Sequence, residues 1–282
     1  MDMKLPVRYW PQCPPPDVKL SDYDEKALAY GQTTLDLKME QTAFMMVDCW
    51  NLTSDGPPPV PGMPKYWDYS FIAGGVSWLR RAEEIVRTRI LPCLVRARAA
   101  GMTVIHAPTS YIANRHPQCQ ALAKAVEEPR PGPAPQWPPR EFVAERWRRF
   151  TDLRYGKDCA QYWNRIRATM DIAEALRPLD DEIVFSTLAQ LEHVLSQRRI
   201  LNVILVGFAA NACLVGKPGA LRDLAARGYE VVVLRDCTTA IEAPWSVDDL
   251  SATRATMDYI EMAFGYTATS VAFLAAIAGQ RA

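Results

Sequence analysis

The chain has 282 residues, of which 49% are hydrophobic and 23% are charged, and its basic and acidic residues balance to a net charge of zero. These values are typical of a globular protein with a sizeable core, and they give no general reason to bind nucleic acid or an anionic membrane. No apolar stretch is long enough to span a membrane, and the first 16 residues lack the apolar core of a secretory signal. We therefore expect a cytoplasmic protein that binds neither nucleic acid nor membrane.

Cysteine and histidine are sparse and widely spaced. The seven cysteines form no CxxC pair, and their odd number and wide spacing exclude a dense disulfide framework and the common structural zinc motifs. A reducing compartment agrees with this pattern. The three histidines are His106, His116 and His193, so a histidine-based metal site or catalytic triad would have few candidates.

Proline divides the chain into segments. Its clusters lie in the first 16 residues, at 57–64 and at 129–139. Because proline fixes φ and has no N–H to donate, such clusters predict extended or loop segments. We predict an N-terminal arm at residues 1–33, with a short helix possible at 21–30, followed by a single domain at 34–282. Residues 115–165 are predicted as an inserted region of loop and helix.

Short apolar runs alternate with helical patterns along the predicted domain. Strands are predicted at 43–48, 102–108, 182–185, 203–208, 230–236 and 267–269. Helices are predicted at 73–100, 140–176, 188–198, from after 208 to 227, at 246–263 and after 269. The first is expected to kink or divide at Pro92 and the second to break near Gly156. Ser246 is the expected N-cap of the helix at 246–263. Strands without polar alternation are buried on both faces, so this order predicts an α/β fold with a doubly wound, mostly parallel sheet of about six strands.

The residues that follow the strands are the candidates for chemistry, because ligands of such sheets bind at the carboxyl ends of the strands. Cys213 stands where a helix should begin. The helix N–H groups there would favour a thiolate and could hold an oxyanion, although from its position alone a single cysteine is more often a buried, small apolar residue. Asp48 has two interpretations. It could act in the site as a general base, a substrate anchor or a metal ligand, or it could be a loop residue that caps a turn. His106 fits a buried, hydrogen-bonded histidine better than a catalytic one, and Asp236 fits a capping role.

Two further patterns have a simpler interpretation than a binding site. The segment 140–167 has an excess of four positive charges, which could attract an anionic partner but fits a solvated helix face better. Neither a Walker loop nor a GxGxxG motif occurs, so nucleotide binding has no support in the sequence.

Four segments resemble the motifs of one family in their order and spacing. They are VDCWN at 47–51, LSQRRILNVILVG at 195–207, VGFAANACLV at 206–215 and RGYEVVVLRDCTTA at 227–240. The corresponding patterns belong to the isochorismatase-like cysteine hydrolases, a group that includes nicotinamidases, N-carbamoylsarcosine amidase and ureide hydrolases. The resemblance covers roughly residues 43–278.

The resemblance implies a Rossmann-like fold and an Asp–Lys–Cys catalytic arrangement. Cys213 matches the family nucleophile and Asp48 the family aspartate, which accepts the thiol proton. A cis peptide would join Phe208 to Ala209, and the N–H groups of Ala209 and Cys213 would form the oxyanion hole. The implied reaction is hydrolysis of a C–N bond through a thioester. The zinc-binding histidine pattern of nicotinamidases is absent, so we expect no catalytic metal and no other cofactor.

One departure concerns the family lysine, which normally follows the third strand. Phe185 stands at that position, and no lysine occurs between Lys157 and Lys217, which are the two candidate replacements. Without a nearby lysine the site would be more apolar and its thiolate less favoured. The remaining candidates for the substrate pocket are Trp50, Asn51, His106, Phe185 and Phe208.

We therefore predict a homo-oligomeric cysteine hydrolase that acts on a small amide, ureide or imide. Two alternatives stay open at this point. The missing lysine motivates a catalytically weak or inactive binding protein on the same fold. The N-terminal arm and the basic segment motivate a scaffold that joins other proteins.

Overall fold

The computed structural model describes residues 2–13, 18–19, 28–51, 76–129, 132, 136–155 and 167–278. Lys157 and the predicted break near Gly156 lie outside the described residues. So does most of the possible helix at 21–30, of which only the non-helical residues 28–30 are described. Among the described residues, no helix is both long and apolar enough to cross a membrane.

A single sheet of eight strands organises the described part of the chain. The strands are β1 Asp2–Tyr9, β2 Gly31–Lys38, β3 Thr42–Val47, β4 Thr103–Ala107, β5 Ile183–Val184, β6 Asn202–Gly207, β7 Glu230–Leu234 and β8 Tyr266–Ala268. Their order is β2-β1-β8-β7-β6-β3-β4-β5, and β3 to β8 pair in parallel. The predicted α/β fold is therefore confirmed, and each of the six predicted strands is present.

The N-terminal region differs from the predicted arm, because two of its segments are strands of the same sheet. β1 pairs in antiparallel fashion with β2 along eight residues and meets β8 where Arg8 lies opposite Thr267. The side chains of Met3, Leu5 and Val7 are buried, and they alternate with outward-facing residues. This apolar alternation at a period of two outweighs the proline signal, because it supplies a face that must be buried.

Ten helices surround the sheet in the described residues. They are α1 Val76–Ile85, α2 Leu91–Ala99, α3 Ser110–Ala113, α4 Pro117–Ala125, α5 Arg140–Tyr155, α6 Leu188–Gln197, α7 Cys213–Gly216, α8 Leu221–Ala226, α9 Ser251–Ala263 and α10 Ser270–Ala278. A π-helical turn at Val86–Ile90 joins α1 to α2 just before Pro92. Proline has no N–H for the regular helical bond, so a wider turn at this point agrees with the predicted kink.

The helices cover both faces of the sheet, as a doubly wound fold requires. On β3, Phe44 and Met46 belong to an apolar core that includes residues of α1, α2 and α10. Met45 and Val47 belong to a second core with residues of α6, α8 and α9. Alternate residues of the strand thus enter opposite cores, which explains the unbroken apolar run at 43–47.

Two predicted helices have different limits in the structure. The helix predicted after residue 208 is divided into α7 and α8 by the segment 217–220. In the helix predicted at 140–176, residues 140–155 and 167–169 are helical, residues 170–173 are not, and residues 174–176 form a 3-10 turn. Proline and glycine explain the first of these differences, since Pro218 and Gly219 interrupt the helical pattern.

The N-cap predicted at Ser246 was wrong, because α9 begins five residues later at Ser251. The Glu242 carboxylate accepts the N–H groups of Ala252 and Thr253, so a distant acid satisfies the start of this helix. The Ser246 hydroxyl instead donates to Glu242 at 2.6 Å and fixes that carboxylate. A long-range acceptor of this kind leaves no local pattern in the sequence.

Candidate functional site

A cavity of about 560 Å³ opens at the carboxyl ends of β3 and β4. Its lining includes Asp48, Cys213 and Lys217, together with Phe185 and Arg167. The candidate nucleophile, the candidate base and one of the two candidate lysines therefore share one cavity, although they are far apart in the chain. The parallel register of β3 with β4 and β6 brings them together, since the segments that follow these strands meet at one edge of the sheet.

Asp48 leaves β3 in the left-handed region, with φ of 44°. Its N–H donates to the Ala107 carbonyl at 3.1 Å, and its side chain is buried at the edge of the sheet. Oδ1 accepts a hydrogen bond from Lys217 Nζ at 2.8 Å. Oδ2 is buried and has no hydrogen-bond partner among the described residues, so this oxygen keeps its capacity to accept a proton.

Lys217 directly follows α7 as its C-cap, and its ammonium binds two acceptors. Nζ donates to Asp48 Oδ1 at 2.8 Å and to the Ala107 carbonyl at 2.6 Å. The Lys217 N–H donates to the Cys213 carbonyl at 3.1 Å, which holds the lysine one helical turn from the cysteine. Asp48, Lys217 and Cys213 therefore line the same cavity. The lysine, however, follows α7, whereas the family pattern places it after the third predicted strand.

The turn that carries Lys217 is shaped by the residues after it. Gly219 has φ of +77°, and a Cβ atom built at this position would lie 2.9 Å from the Phe185 ring. Only glycine fits this conformation and this close approach without strain. Phe185, which stands where the family lysine was expected, thus packs against the turn that supplies Lys217.

Cys213 is the first residue of α7 and is half-buried at the wall of the cavity. Burial, together with the negative charge of Asp48, raises the pKa of the Cys213 thiol to about 12, and Lys217 opposes this only in part. The predicted lowering of the thiol pKa by the helix N-terminus was therefore wrong. Since α7 is one turn long, its dipole is small beside the cost of burying a thiolate next to a carboxylate.

In the segment that leads into α7, the backbone N–H groups of Ala209, Asn211 and Cys213 have no acceptor among the described residues. The peptide between Phe208 and Ala209 is cis, as the resemblance implied. Other N–H groups of this segment are paired, since the Phe208 N–H donates to the Val47 carbonyl at 2.8 Å and the Ala210 N–H to the Thr239 carbonyl at 3.0 Å. Unpaired donors at this point fit an acceptor that arrives with a ligand.

Of the other predicted pocket residues, Phe185 lines the main cavity. Trp50 and Phe208 line a much smaller cavity on another side of Asp48, together with Trp78. Asn51 has a structural role: its Oδ1 accepts the Asp171 N–H at 2.8 Å, and its Nδ2 donates to the Thr169 carbonyl at 3.2 Å. It therefore fixes the segment around residue 170 and does not line the main cavity.

The pocket role predicted for His106 disagrees with its position. The imidazole is buried within β4, and Nε2 lies 2.8 Å from Glu182 Oε2. This is the buried, hydrogen-bonded histidine that the residue itself suggested. Asp236 accepts hydrogen bonds from the N–H and hydroxyl of Ser270 at the start of α10, which agrees with its predicted capping role.

Several lining residues had no sequence signal, among them Tyr111 and Arg167. The Arg167 guanidinium lies 5.1 Å from the centre of the Tyr111 ring. Arg115 supports this wall, because its guanidinium donates to the carbonyl of Ala168 at 3.0 Å and to that of Met170. Tyr111 lies in α3, which follows β4, and Arg167 belongs to the basic segment 140–167; no motif marks either residue as part of a cavity. Among the described residues, no group of three His, Cys, Asp or Glu side chains is arranged to hold a metal ion.

Three solved structures show what the chain is similar to. A cysteine hydrolase from Pseudomonas syringae pv. phaseolicola 1448A is 17% identical, with 86% of this chain and 95% of that chain covered and a TM-score of 0.47. An isochorismatase family protein from Burkholderia thailandensis is 21% identical, with 85% and 96% covered and a TM-score of 0.43. A nicotinamidase/pyrazinamidase from Bacillus subtilis is 13% identical, with 81% and 99% covered and a TM-score of 0.41.

The family itself is identified by a match to the sequence. The isochorismatase domain family matches residues 70–263, which is more than half of the chain and includes β4 to β7, Cys213 and Lys217. The chain therefore belongs to the isochorismatase family of hydrolases.

Proposed function

We propose that this protein is a cysteine hydrolase that cleaves a C–N bond of a small amide, ureide or imide through a thioester-type covalent intermediate. Cys213 is the nucleophile, Asp48 moves the proton and Lys217 positions Asp48. One observation carries this proposal: the Lys217 ammonium binds Asp48 at 2.8 Å in the wall of the cavity that Cys213 also lines. The three groups that this chemistry requires are thus in one place.

The first half of the reaction begins from the neutral thiol that the raised pKa implies. As sulfur attacks the carbonyl carbon, the thiol proton passes to the unpartnered Oδ2 of Asp48, and the carbonyl π electrons move onto oxygen. The N–H groups of Ala209 and Cys213 donate to this oxyanion. The intermediate then collapses: the C–N bond breaks, Asp48 returns the proton to nitrogen, and ammonia or an amine leaves.

The second half hydrolyses the thioester. A water molecule attacks the same carbon, Asp48 accepts a proton from the water, and the oxyanion again lies against the two N–H groups. The C–S bond breaks as the acid forms, and the proton on Asp48 returns to sulfur. Asp48 is thus a base and then an acid in each half, which requires a carboxylate oxygen without a competing donor.

Lys217 supports this cycle without exchanging a proton with the substrate. Two of its N–H groups are used by Asp48 and the Ala107 carbonyl, so the ammonium fixes the carboxylate with Oδ1 bonded and Oδ2 unbonded. Its positive charge also lowers the cost of forming the thiolate. In this proposal Lys217, which follows α7, takes the role expected of the family lysine, and this supports a hydrolase over a non-catalytic binding protein.

The lining of the cavity narrows the substrate class. Asp48, Lys217 and Arg167 contribute one negative and two positive charges, and Phe185 and Pro218 add apolar surface. Such a lining disfavours cationic substrates and accommodates a neutral or anionic molecule with an apolar part. A volume of about 560 Å³ is in the range of small-molecule sites and excludes a folded protein as substrate.

Release of ammonia or amine from a panel of small amides, ureides and imides tests the proposal. The full chain should hydrolyse at least one class, and Cys213→Ala should reduce the rate by at least about 10³-fold, because the covalent route is lost. Cys119→Ala, which changes another buried cysteine, is the matched control and should keep full activity. Mass spectrometry of the quenched reaction should show the acyl adduct on Cys213.

Equal rates for Cys213→Ala and the unchanged protein would overturn the covalent mechanism. Tight binding of a panel compound without turnover, by protein whose Cys213 is intact and reduced, would favour the binding protein instead.

A further inference from the structure

A second cavity of about 360 Å³ lies where β1 separates from β8, several strands away from Cys213. Its lining is mainly polar and includes Arg8, Arg235, Thr34 and Thr269. The cavity is at the carboxyl end of β7 and β8, beside the start of α10. Arg235 lies within the segment 227–240 that resembles a family motif, but the proposed hydrolysis uses none of these residues.

Arg235 is the least satisfied cation of this cavity. Its backbone N–H continues the pairing of β7 with Ala268 at 2.9 Å, so its position is fixed. The half-buried guanidinium donates one hydrogen bond, to Thr267 Oγ1 at 3.3 Å, and forms no ion pair within 4.0 Å among the described residues. A guanidinium has five N–H donors, so most of them are left for another acceptor.

Arg8 brings a second positive charge to the same cavity, but its own charge is compensated. Its Nε binds Glu261 Oε1 at 2.7 Å, its NH2 group lies 4.0 Å from Asp258, and its guanidinium stacks on the Tyr30 ring. Burial and the charge of Arg8 both lower the pKa of Arg235, which means that Arg235 is held close to a like charge.

The nearby carboxylates offset the charge of Arg235 without bonding to it. Glu261 and Asp236 both act to raise the pKa of Arg235, but neither forms a hydrogen bond or an ion pair with its guanidinium. Glu261 Oε1 accepts hydrogen bonds from Arg8 and the Thr267 hydroxyl, Glu261 Oε2 has no hydrogen-bond partner among the described residues, and Asp236 accepts from the N–H and hydroxyl of Ser270. Two cations lie beside one polar cavity, and one of them has no carboxylate partner among the described residues, so an anion that joins them would be favoured. This arrangement points to a ligand with negative charge and several acceptor oxygens.

We propose that this cavity is a binding site for a phosphate group, with the Arg235 guanidinium as the main ligand and Arg8 and the threonine hydroxyls as further donors. The planar fork of arginine matches two oxygens of a phosphate, and hydroxyls can donate to the remaining ones. The phosphate group belongs either to inorganic phosphate or to a phosphate monoester. The site is independent of the proposed hydrolysis, because it shares no residue with the Cys213 cavity.

Isothermal titration of the full chain with inorganic phosphate and with methyl phosphate, at constant ionic strength, tests this site. We expect saturable binding that Arg235→Met weakens at least tenfold. Arg254→Met removes an exposed arginine that pairs with Asp249 outside the cavity, and it should leave binding unchanged. Cys213→Ala should also bind normally, so failure of the hydrolase proposal would not affect this result. Tighter binding of methyl phosphate would identify a monoester as the ligand, and equal or weaker binding would identify inorganic phosphate.

A second measurement uses the unchanged protein and so does not depend on the folding of a variant. Phenylglyoxal modifies accessible arginines, and phosphate should protect Arg235 while Arg254 stays reactive in the same peptide map. Absence of saturable binding, absence of this protection, undiminished binding by folded Arg235→Met, or acetate binding as tight as phosphate would each overturn the proposal.

Discussion

Two buried acid–base clusters lie against strand β4, and they differ in how completely their hydrogen bonds are satisfied. The Asp48 cluster consists of Asp48, Lys217 and Cys213, and the Glu182 cluster consists of Glu182, Arg98 and His106. Each pairs one carboxylate with one cation and one further titratable group. Their composition alone would not separate a catalytic cluster from a structural one.

The Glu182 cluster leaves neither carboxylate oxygen without a partner. Arg98 donates to both oxygens of Glu182, at 2.6 and 2.9 Å, and Oε2 also meets His106 at 2.8 Å and the Leu179 N–H at 3.0 Å. Burial alone would raise the pKa of Glu182, but these hydrogen bonds hold it at about 2. Burial lowers the pKa of His106 despite Glu182, so a neutral imidazole donates to a carboxylate.

The Asp48 cluster is satisfied on one side only. Oδ1 is bonded to Lys217, whereas Oδ2 has no partner among the described residues and the neighbouring N–H groups of Ala209 and Cys213 are unpaired. The comparison teaches that hydrogen-bonding groups without a partner, rather than the charges, distinguish the candidate site from the structural cluster. A complete network stabilises the fold, while an incomplete one beside a cavity can accept a substrate.

The largest expected effect comes from Lys217→Met, which should lower kcat/KM by about 10³-fold, because Asp48 loses its fixed position and the developing thiolate loses a nearby charge. Lys124→Met, which removes an exposed lysine of α4, should retain activity within twofold. Steady-state kinetics on a substrate from the amide panel measure both variants. Activity of Lys217→Met within threefold of the unchanged protein would contradict a role for this lysine.

Glu182→Gln should act on stability rather than on chemistry. Loss of the carboxylate weakens the bonds to Arg98 and His106, and we expect the free energy of unfolding in urea to fall by about 3 kcal/mol. Glu174→Gln is the matched control, since its ion pair with Arg177 is exposed, and it should cost less than about 0.5 kcal/mol. A large loss of kcat in folded Glu182→Gln would remove the distinction between the two clusters.

Asp48→Asn should have opposite effects on reactivity and catalysis. The negative charge of Asp48 contributes to the raised thiol pKa, so its removal lowers that pKa and increases the thiolate fraction. We expect alkylation of Cys213 by iodoacetamide at pH 8 to become about tenfold faster, while hydrolysis is lost. Peptide mass spectrometry follows both Cys213 and the exposed Cys13, whose rate should not change. Slower alkylation of Cys213 would show that Asp48 does not suppress its ionisation.

The smallest effect concerns acid stability. The pKa of Glu182 in the folded protein is about 2, below the value of an ordinary glutamate. The contribution of its ionised carboxylate to the free energy of unfolding is therefore complete above about pH 4.5 and is lost as the pH falls towards 2. The difference in urea midpoint between the unchanged protein and Glu182→Gln should therefore narrow between pH 6 and pH 3. A difference that stays constant over this range would mean that the carboxylate is not the source of the stability.

Much of the fold could be predicted from local patterns. The apolar runs at 43–47 and 203–207 lie within the buried central strands β3 and β6. They could be recognised because strands buried on both faces need no polar alternation. β1 was mistaken for an arm, because five prolines in the first 16 residues outweighed the alternation of Met3, Leu5 and Val7. The helix after β6 was predicted too long, because the break at 217–220 was not recognised as a turn.

The candidate site could be predicted in part. Asp48 and Cys213 stand directly after strands, and the sheet rule together with the family motifs selects both. Lys217 was one of two candidates, and its distance from Asp48 in the chain gave no reason to prefer it. The signal that could have found it is the Lys-Pro-Gly sequence after Cys213, since proline and glycine predict a turn that frees the lysine from the helix.

The sequence by itself determined the parallel sheet, the family and the two residues that follow β3 and β6, because these depend on periodicity and short motifs that act within a few residues. Only the tertiary structure decided which lysine binds Asp48, that His106 belongs with Glu182, and that Arg235 has no carboxylate partner in the described part of the chain. Each of these depends on distances between segments that are remote in the chain, and packing of the whole sheet sets such distances.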